Sequence, residues 1–138
     1  MSDFLKCDVC FRICDDNLDP LEITEMLGIE PEKSHRKGDP TRFSKNKNLI
    51  KFSTYSSGLW SISSTEAKNA ILEVHIKSLL VLLEPLKAEL SELSKRGYEI
   101  DLFCGIFTHD CDQPGFDIDS SVLKNLGELN ISIGMCIY

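Results

Sequence analysis

The segment Gly58-Leu59-Trp60-Ser61-Ile62-Ser63-Ser64 is central to the expected fold of this chain, because it carries the only tryptophan and leads into the longest helical segment. Its residues predict a strand from Leu59 to Ser64. The segment from Leu49 to Tyr55 predicts another strand, and the connection Ser56-Ser57-Gly58 has a glycine where a hairpin turn favours one. We therefore expect a β-hairpin around this connection.

Length and composition fit one folded domain. A chain of 138 residues can bury a single hydrophobic core, and 42% hydrophobic with 27% charged residues is typical of globular proteins. We predict a single α+β domain over residues 1–138. The formal net charge of −7 repels polyanions at long range, so we expect no nucleic acid and no membrane among its partners.

The first residues lack the basic and apolar regions of a secretory signal, and no run approaches the ~18 apolar residues of a membrane span. We therefore predict a cytoplasmic protein. In a reducing compartment its six cysteines are expected to be free thiols rather than disulfides.

The N-terminal region has the pattern of a strand with one buried face. Its apolar set is Leu5, Cys7, Val9, Phe11 and Ile13. Cys7 and Cys10 have the spacing of a zinc motif, but on a strand they point to opposite faces. The adjacent side chains from His109 to Asp112 rarely converge on one ion. We therefore predict no metal site.

Helix-boundary residues predict a short helix from Pro20 to Leu27. Asp19 can cap it, Pro20 suits the first helical position, and Gly28 supplies the left-handed residue that ends many helices.

The segment from Ile29 to Asn48 has no periodicity and predicts a long loop. Basic residues crowd this region, although the protein as a whole is acidic. They are Lys33, Arg36, Lys37, Arg42, Lys45, Lys47 and, just beyond, Lys51. Only Glu32 and Asp39 oppose them locally. This basic loop (residues 33–51) indicates a surface for an anion or an acidic partner.

A capping box at Ser63 and Glu66 and a C-terminal signal at Lys95-Arg96 predict one helical region from Ser64 to Arg96. Its apolar stripe is Leu72, Ile76, Leu79, Leu83, Leu86, Leu90 and Leu93. Pro85 predicts a kink or break between Val81 and Glu84. Near that point Leu80, Val81 and Leu82 widen the apolar arc, which favours contact with a loop or with a second subunit as a homodimer.

The C-terminal part repeats the N-terminal plan. We predict a strand from Tyr98 to Thr108 with apolar residues on both faces, a helix from Ser120 to Leu126 capped by Asp119, and a half-buried strand from Ile131 to Tyr138. Two units of strand, short helix and strand predict a ferredoxin-like duplicated sheet. An inserted hairpin strand and the long helix between the halves depart from its simplest form.

Four segments, in this order, resemble a known family: Ile23 to Pro31, Lys37-Gly38-Asp39, Gly58 to Ser64, and His75 with Leu79-Leu80. Over nearly its whole length the chain is similar to the bacterial family called domain of unknown function 4279. The resemblance implies a small bacterial protein with no assigned activity, and it brings no catalytic residues.

Two functions from different classes fit these observations. No catalytic or dinucleotide-binding motif occurs, so we predict no cofactor, and an enzyme is the less favoured class. His75 is interpreted as a packing residue, because the sequence pairs no nucleophile with it. The leading hypothesis is a non-enzymatic protein-interaction or regulatory module, similar in role to an immunity protein, with an exposed sheet or helix surface for a protein partner.

The alternative is a sensor or enzyme for a small anionic ligand near the basic loop. An indole face beside cationic groups can stack against such a molecule and hydrogen-bond it. The candidate binding residues are Arg36, Lys37, Arg42 and Trp60. The competing interpretation is that Trp60 anchors the core and the basic residues keep a loop solvated.

Overall fold

The computed structural model describes residues 5–41, 53–109, 111–112 and 115–138. In chain order the elements are β1 (Lys6–Asp15), α1 (Pro20–Leu27), β2 (Lys33–His35), β3 (Gly58–Ser63), α2 (Leu72–Leu83), α3 (Lys87–Lys95), β4 (Glu99–Phe107), α4 (Ser120–Glu128) and β5 (Ser132–Ile137). One turn of 3₁₀ helix, Glu84–Leu86, joins α2 to α3. None of these helices is long and apolar enough to cross a membrane.

These strands form one mixed sheet in the order β2-β3-β1-β4-β5. The central strand β1 pairs antiparallel with β3 on one side and with β4 on the other. Strand β2 pairs antiparallel with β3, and β5 pairs parallel with β4. The protein therefore belongs to the α+β class, with a five-stranded sheet in the described residues.

The alternation of β1 determines which face of the sheet is covered. Its side chains at 7, 9, 11 and 13 are buried, and the strand register places Trp60 and Leu102 on the same face. The buried residues of all four α-helices join the same core cluster. The helices therefore lie on one face of the sheet.

Trp60 lies at the centre of this core and has no exposed surface. Its ring meets Phe11 edge-on, with centroids 6.2 Å apart. The indole N–H donates a hydrogen bond to Thr24 Oγ1 at 3.1 Å, which satisfies the one polar group of the side chain and ties β3 to α1.

Several sequence predictions are confirmed. Helix α1 has the predicted bounds, Asp19 Oδ1 accepts the Leu21 N–H at 3.1 Å, and Gly28 adopts φ 69°. The helical region is interrupted at Pro85, as expected from its missing N–H. Asp119 caps α4, which extends two residues beyond the predicted end.

Other predictions are wrong. Strand β3 has β2 and β1 as its neighbours, so it does not form the predicted hairpin with Leu49 to Tyr55, of which only 53–55 lie within the described residues. The predicted long loop contains β2, which pairs through its backbone without any apolar alternation. Helix α2 begins at Leu72 rather than Ser64, because the preceding segment continues along β1, where Cys7 N–H bonds Lys68 O at 2.9 Å.

The ferredoxin-like duplication is not confirmed. Strands β4 and β5, joined by α4, are adjacent and parallel, whereas β1 and β3 of the first unit are adjacent and antiparallel. The short strand β2 accounts for this difference, because it reverses the chain once more before β3 begins. The two units therefore share capped helices but not a pairing pattern.

Gly58 marks the closest backbone approach at the start of β3. A Cβ at this position would lie 2.6 Å from Asp15 O and 2.9 Å from Leu18 Cβ. We predict that Gly58→Ala lowers the free energy of unfolding by about 1–3 kcal/mol, measured by urea denaturation. Gly127→Ala is the control, since a Cβ there meets no atom within 4 Å beyond the adjacent residues and the backbone of its own helix, and alanine favours helix α4. Equal effects of the two substitutions would contradict the steric explanation.

The buried thiol of Cys104 is expected to lower the free energy of unfolding at alkaline pH. Burial raises the pKa of its thiol from 9.0 to about 12. Between these values the folded chain keeps the proton that the unfolded chain loses, so the free energy of unfolding falls as pH rises above 9.0. We expect Cys104→Ala to show a smaller loss between about pH 8 and about pH 10 in urea denaturation. An unchanged loss in the variant would assign the effect to other groups.

Candidate functional site

The face of the sheet opposite the helices carries the side chains that alternate with the buried ones along each strand. We call it the open face, because the helices of the described residues all pack against the other side. Its residues include Cys10, Arg12, Cys14, Ser61, Asp101, Phe103, Phe107 and Cys136. Most of them are only half-buried, so this face offers a mixed polar and aromatic surface.

Arg12 and Asp101 form the central polar contact of the open face. The two residues are opposite each other in β1 and β4, and the guanidinium donates to both carboxylate oxygens, at 2.9 and 2.7 Å. The same guanidinium lies 4.5 Å from the centroid of the Phe103 ring. The hydrogen bond with Asp101 raises the pKa of Arg12. This pair and the cation–π contact stabilise the open face without a covering helix.

A cleft of about 520 Å³ lies on the open face near the end of β3. Three carboxylates line it, from Asp8, Glu32 and Glu66, together with one cation, Lys33. Three aromatic rings complete the lining, from Phe103, Phe107 and Tyr138. The rings of Phe107 and Tyr138 are stacked, with centroids 5.0 Å apart. The cleft is therefore acidic and aromatic.

A broader depression of about 850 Å³ continues from this cleft towards β2. It shares Glu32 and Lys33 with the cleft, and His35 stacks on Tyr55 in its wall, with ring centroids 3.4 Å apart. The stacking fixes the side chain of β2 that faces the depression. The two concavities thus form one continuous surface.

The cleft also contains a contact between Ser64 and His75 that sequence analysis missed. Ser64 Oγ lies 2.8 Å from His75 Nδ1 and accepts the Glu66 N–H at 3.2 Å. His75 is 2% exposed, and its Nε2 has no hydrogen-bond partner in the described part of the chain. A hydrolytic triad would need a carboxylate at that nitrogen to orient the ring. We therefore interpret the pair as a link between the end of β3 and helix α2.

The structure does not bring the described members of the predicted anion site together. The Arg36 guanidinium binds Asp19 at 2.8 Å and the Lys37 amine binds Asp16 at 3.3 Å. Trp60 points into the core on the helix-covered face, so its ring offers no surface to a ligand. Arg42 lies outside the described residues. The burial of Trp60 agrees with the competing interpretation, in which this side chain anchors the core.

Two thiols of the open face, those of Cys10 and Cys14, are poorly suited to nucleophilic chemistry. Burial raises the pKa of Cys10 and of Cys14, so both favour the protonated form. Over the ranges that the structure describes, no group of three or more His, Cys, Asp or Glu side chains could hold a metal ion. The carboxylates and aromatic rings of the cleft are groups that can bind a cation.

The Ser64–His75 contact predicts unequal effects of neighbouring serine substitutions. Ser64→Ala removes the one hydrogen bond that the buried His75 imidazole makes within the described residues, so we expect the free energy of unfolding to fall by about 1–3 kcal/mol in urea denaturation. Ser63→Ala changes an exposed side chain and should alter it by less than about 0.5 kcal/mol. A variant Ser64→Ala as stable as the wild type would show that this contact contributes nothing.

Comparison with known proteins gives a family but no activity. The family model described as domain of unknown function (DUF4279) matches residues 5–138. No curated protein and no solved structure matches the chain. Since the match covers nearly the whole chain, the protein belongs to the DUF4279 family, as the resemblance of its sequence predicts.

Proposed function

We propose that this protein is a non-enzymatic interaction module that binds a basic segment of a partner protein in the cleft of the open face. The observation that carries the proposal is the lining of the cleft, which includes three carboxylates and three aromatic rings. Carboxylates pair with ammonium and guanidinium groups, and aromatic faces attract the same cations. A lysine or arginine side chain on an apolar stem meets both requirements.

Charge supports the same kind of partner. Asp8, Glu32 and Glu66 oppose a single lysine in the cleft, and the chain as a whole carries a formal charge of −7. Such a field attracts a basic partner and repels an acidic one. Within the described ranges, the ion pair of Asp8 is a long one, with Lys68 at 4.0 Å, so its carboxylate can also pair with an incoming cation.

The cation–π contact inside the open face is a chemical precedent within the same molecule. Arg12 already occupies one side of the Phe103 ring, at 4.5 Å from its centroid, while Asp101 neutralises the guanidinium. A partner's arginine near Phe107 and Asp8 would repeat this combination of ring and carboxylate. The proposal therefore uses a contact that the fold already forms.

The anionic-ligand alternative has less support. Arg36 and Lys37 have carboxylate partners, and Trp60 is buried, so the described residues provide neither a free cationic pair nor a stacking surface. A cytoplasmic regulatory role similar to that of an immunity protein is compatible with the proposed surface. That role rests on analogy alone.

Charge reversal tests the proposal with a defined probe. We predict that the triple variant Asp8→Lys/Glu32→Lys/Glu66→Lys binds a fluorescent lysine-rich peptide at least about tenfold more weakly than the wild type, in a titration of fluorescence anisotropy. The wild-type affinity should also fall with added salt. Amide shifts in NMR spectra of the wild type should concentrate at Cys10, Ser64 and Phe103.

The matched control reverses three exposed acids elsewhere, in Glu25→Lys/Asp117→Lys/Glu128→Lys, with the same change of net charge. Equal loss of affinity in the two variants would reject the cleft as the site. Tighter binding of a glutamate-rich peptide by the wild type would favour the anionic alternative. Complete displacement of the lysine-rich peptide by comparable concentrations of free arginine would indicate a small cationic ligand instead of a protein.

A further inference from the structure

Strand β5 forms an edge of the sheet, with β4 as its one neighbour among the described strands. No charged side chain occurs from Ile131 to Tyr138. Proteins usually protect an edge strand with charges, proline or a bulge, because its free backbone groups can pair with another chain. Edge β5 has no charge or proline, so its sequence leaves it open to pairing.

The direction of the free backbone groups follows from two hydrogen bonds at the end of β5. Tyr138 N–H donates to Ile106 O at 2.8 Å, and Tyr138 O accepts the Thr108 N–H at 3.0 Å. The backbone N–H and C=O groups of Tyr138 therefore both point towards β4. Since alternate residues of a strand direct these groups to opposite sides, the N–H and C=O groups of Ile133, Met135 and Ile137 point away from the sheet.

These outward groups are self-complementary. We propose that β5 pairs antiparallel with β5 of a second copy of this chain, around a two-fold axis at Met135. Ile133 then lies opposite Ile137 of the second copy, and the two Met135 residues lie opposite each other. In an antiparallel pair, opposing residues of this kind exchange both hydrogen bonds, so every outward N–H meets an outward C=O.

The side chains favour the same register. Ile133, Met135 and Ile137 lie on the helix-covered face, opposite Leu102, Cys104 and Ile106 of β4. Yet Met135 is 38% exposed and Ile137 is 65% exposed. Pairing around Met135 brings these apolar side chains together across the axis, and such cross-strand pairs stabilise sheets.

A second copy fits this edge better than a charged partner strand. The net charge of −7 opposes self-association over most of the surface. Because β5 has no charged side chains, pairing it with β5 of a second copy places no like charges against each other in the two strands. A two-fold axis perpendicular to the sheet also leaves both open faces on the same side of a continuous sheet. The two clefts would then serve one extended or bivalent partner. The dimer itself does not depend on what the clefts bind.

Sedimentation velocity of the full chain across the micromolar range tests the dimer. We expect a concentration-dependent dimer in the wild type and a dimer roughly thirtyfold weaker in Met135→Pro, because each copy loses one inter-subunit hydrogen bond. Met135 N–H points away from β4, so the proline leaves the internal pairing intact. Val81→Lys is the control, since Val81 is 72% exposed on α2 and marks the long-helix interface that the sequence suggests.

Amide hydrogen exchange of the wild type gives a second measurement that needs no variant. Exchange at Ile133, Met135 and Ile137 should slow as the protein concentration rises, while exchange at exposed amides of other elements should not. A strictly monomeric wild type would overturn the proposal. A dimer dissociated by Val81→Lys and unaffected by Met135→Pro would also overturn it and would place the interface on α2.

Discussion

The alternation of apolar and polar side chains along β1 sets which face of the sheet the helices cover and which face stays open. Because β1 is central and paired on both sides, its two sets of side chains extend across the whole sheet through the strand register. The apolar side chains must be shielded from water, and the four described α-helices pack over them from one side of the sheet. The other set includes Arg12, which none of the described helices covers, so its charge is satisfied within the sheet. Asp101, directly opposite in β4, satisfies it with two hydrogen bonds.

The position of the cleft follows from the unequal lengths of the strands. Strand β3 ends at Ser63, whereas β1 continues beyond the residue opposite it, Cys10, to Lys6. The chain after β3 still follows β1, but as a single segment held by a few hydrogen bonds rather than as a strand. A concave surface forms where the regular pairing stops. The Ser64–His75 contact fixes the edge of this surface, which explains why a buried histidine lies beside an open cleft.

Local signals made part of this fold predictable. The bounds of α1 depend on Asp19, Pro20 and Gly28, which act within one or two helical turns, and the break at Pro85 depends on one missing N–H. Non-local contacts were not predictable in the same way. Strand β2 has no apolar alternation because it pairs at the edge through its backbone, and Ser64 meets His75 only because α2 begins late. Trp60 was an ambiguous candidate in the sequence, since burial and ligand stacking use the same ring.

The two edges of the described sheet differ in a way that bears on assembly. Edge β2 has three residues, includes Lys33 and lies between Pro31 and Pro40, all of which limit pairing with another chain. Edge β5 has six residues and none of these features. A protein with two open edges can form an unlimited chain of copies. A protein with one open edge that pairs with itself forms a closed dimer. The asymmetry arises from the parallel connection through α4, since it places an uncharged strand beyond β4 at the outer edge of the sheet. The same connection that completes the core on the helix side therefore also leaves a single self-complementary edge.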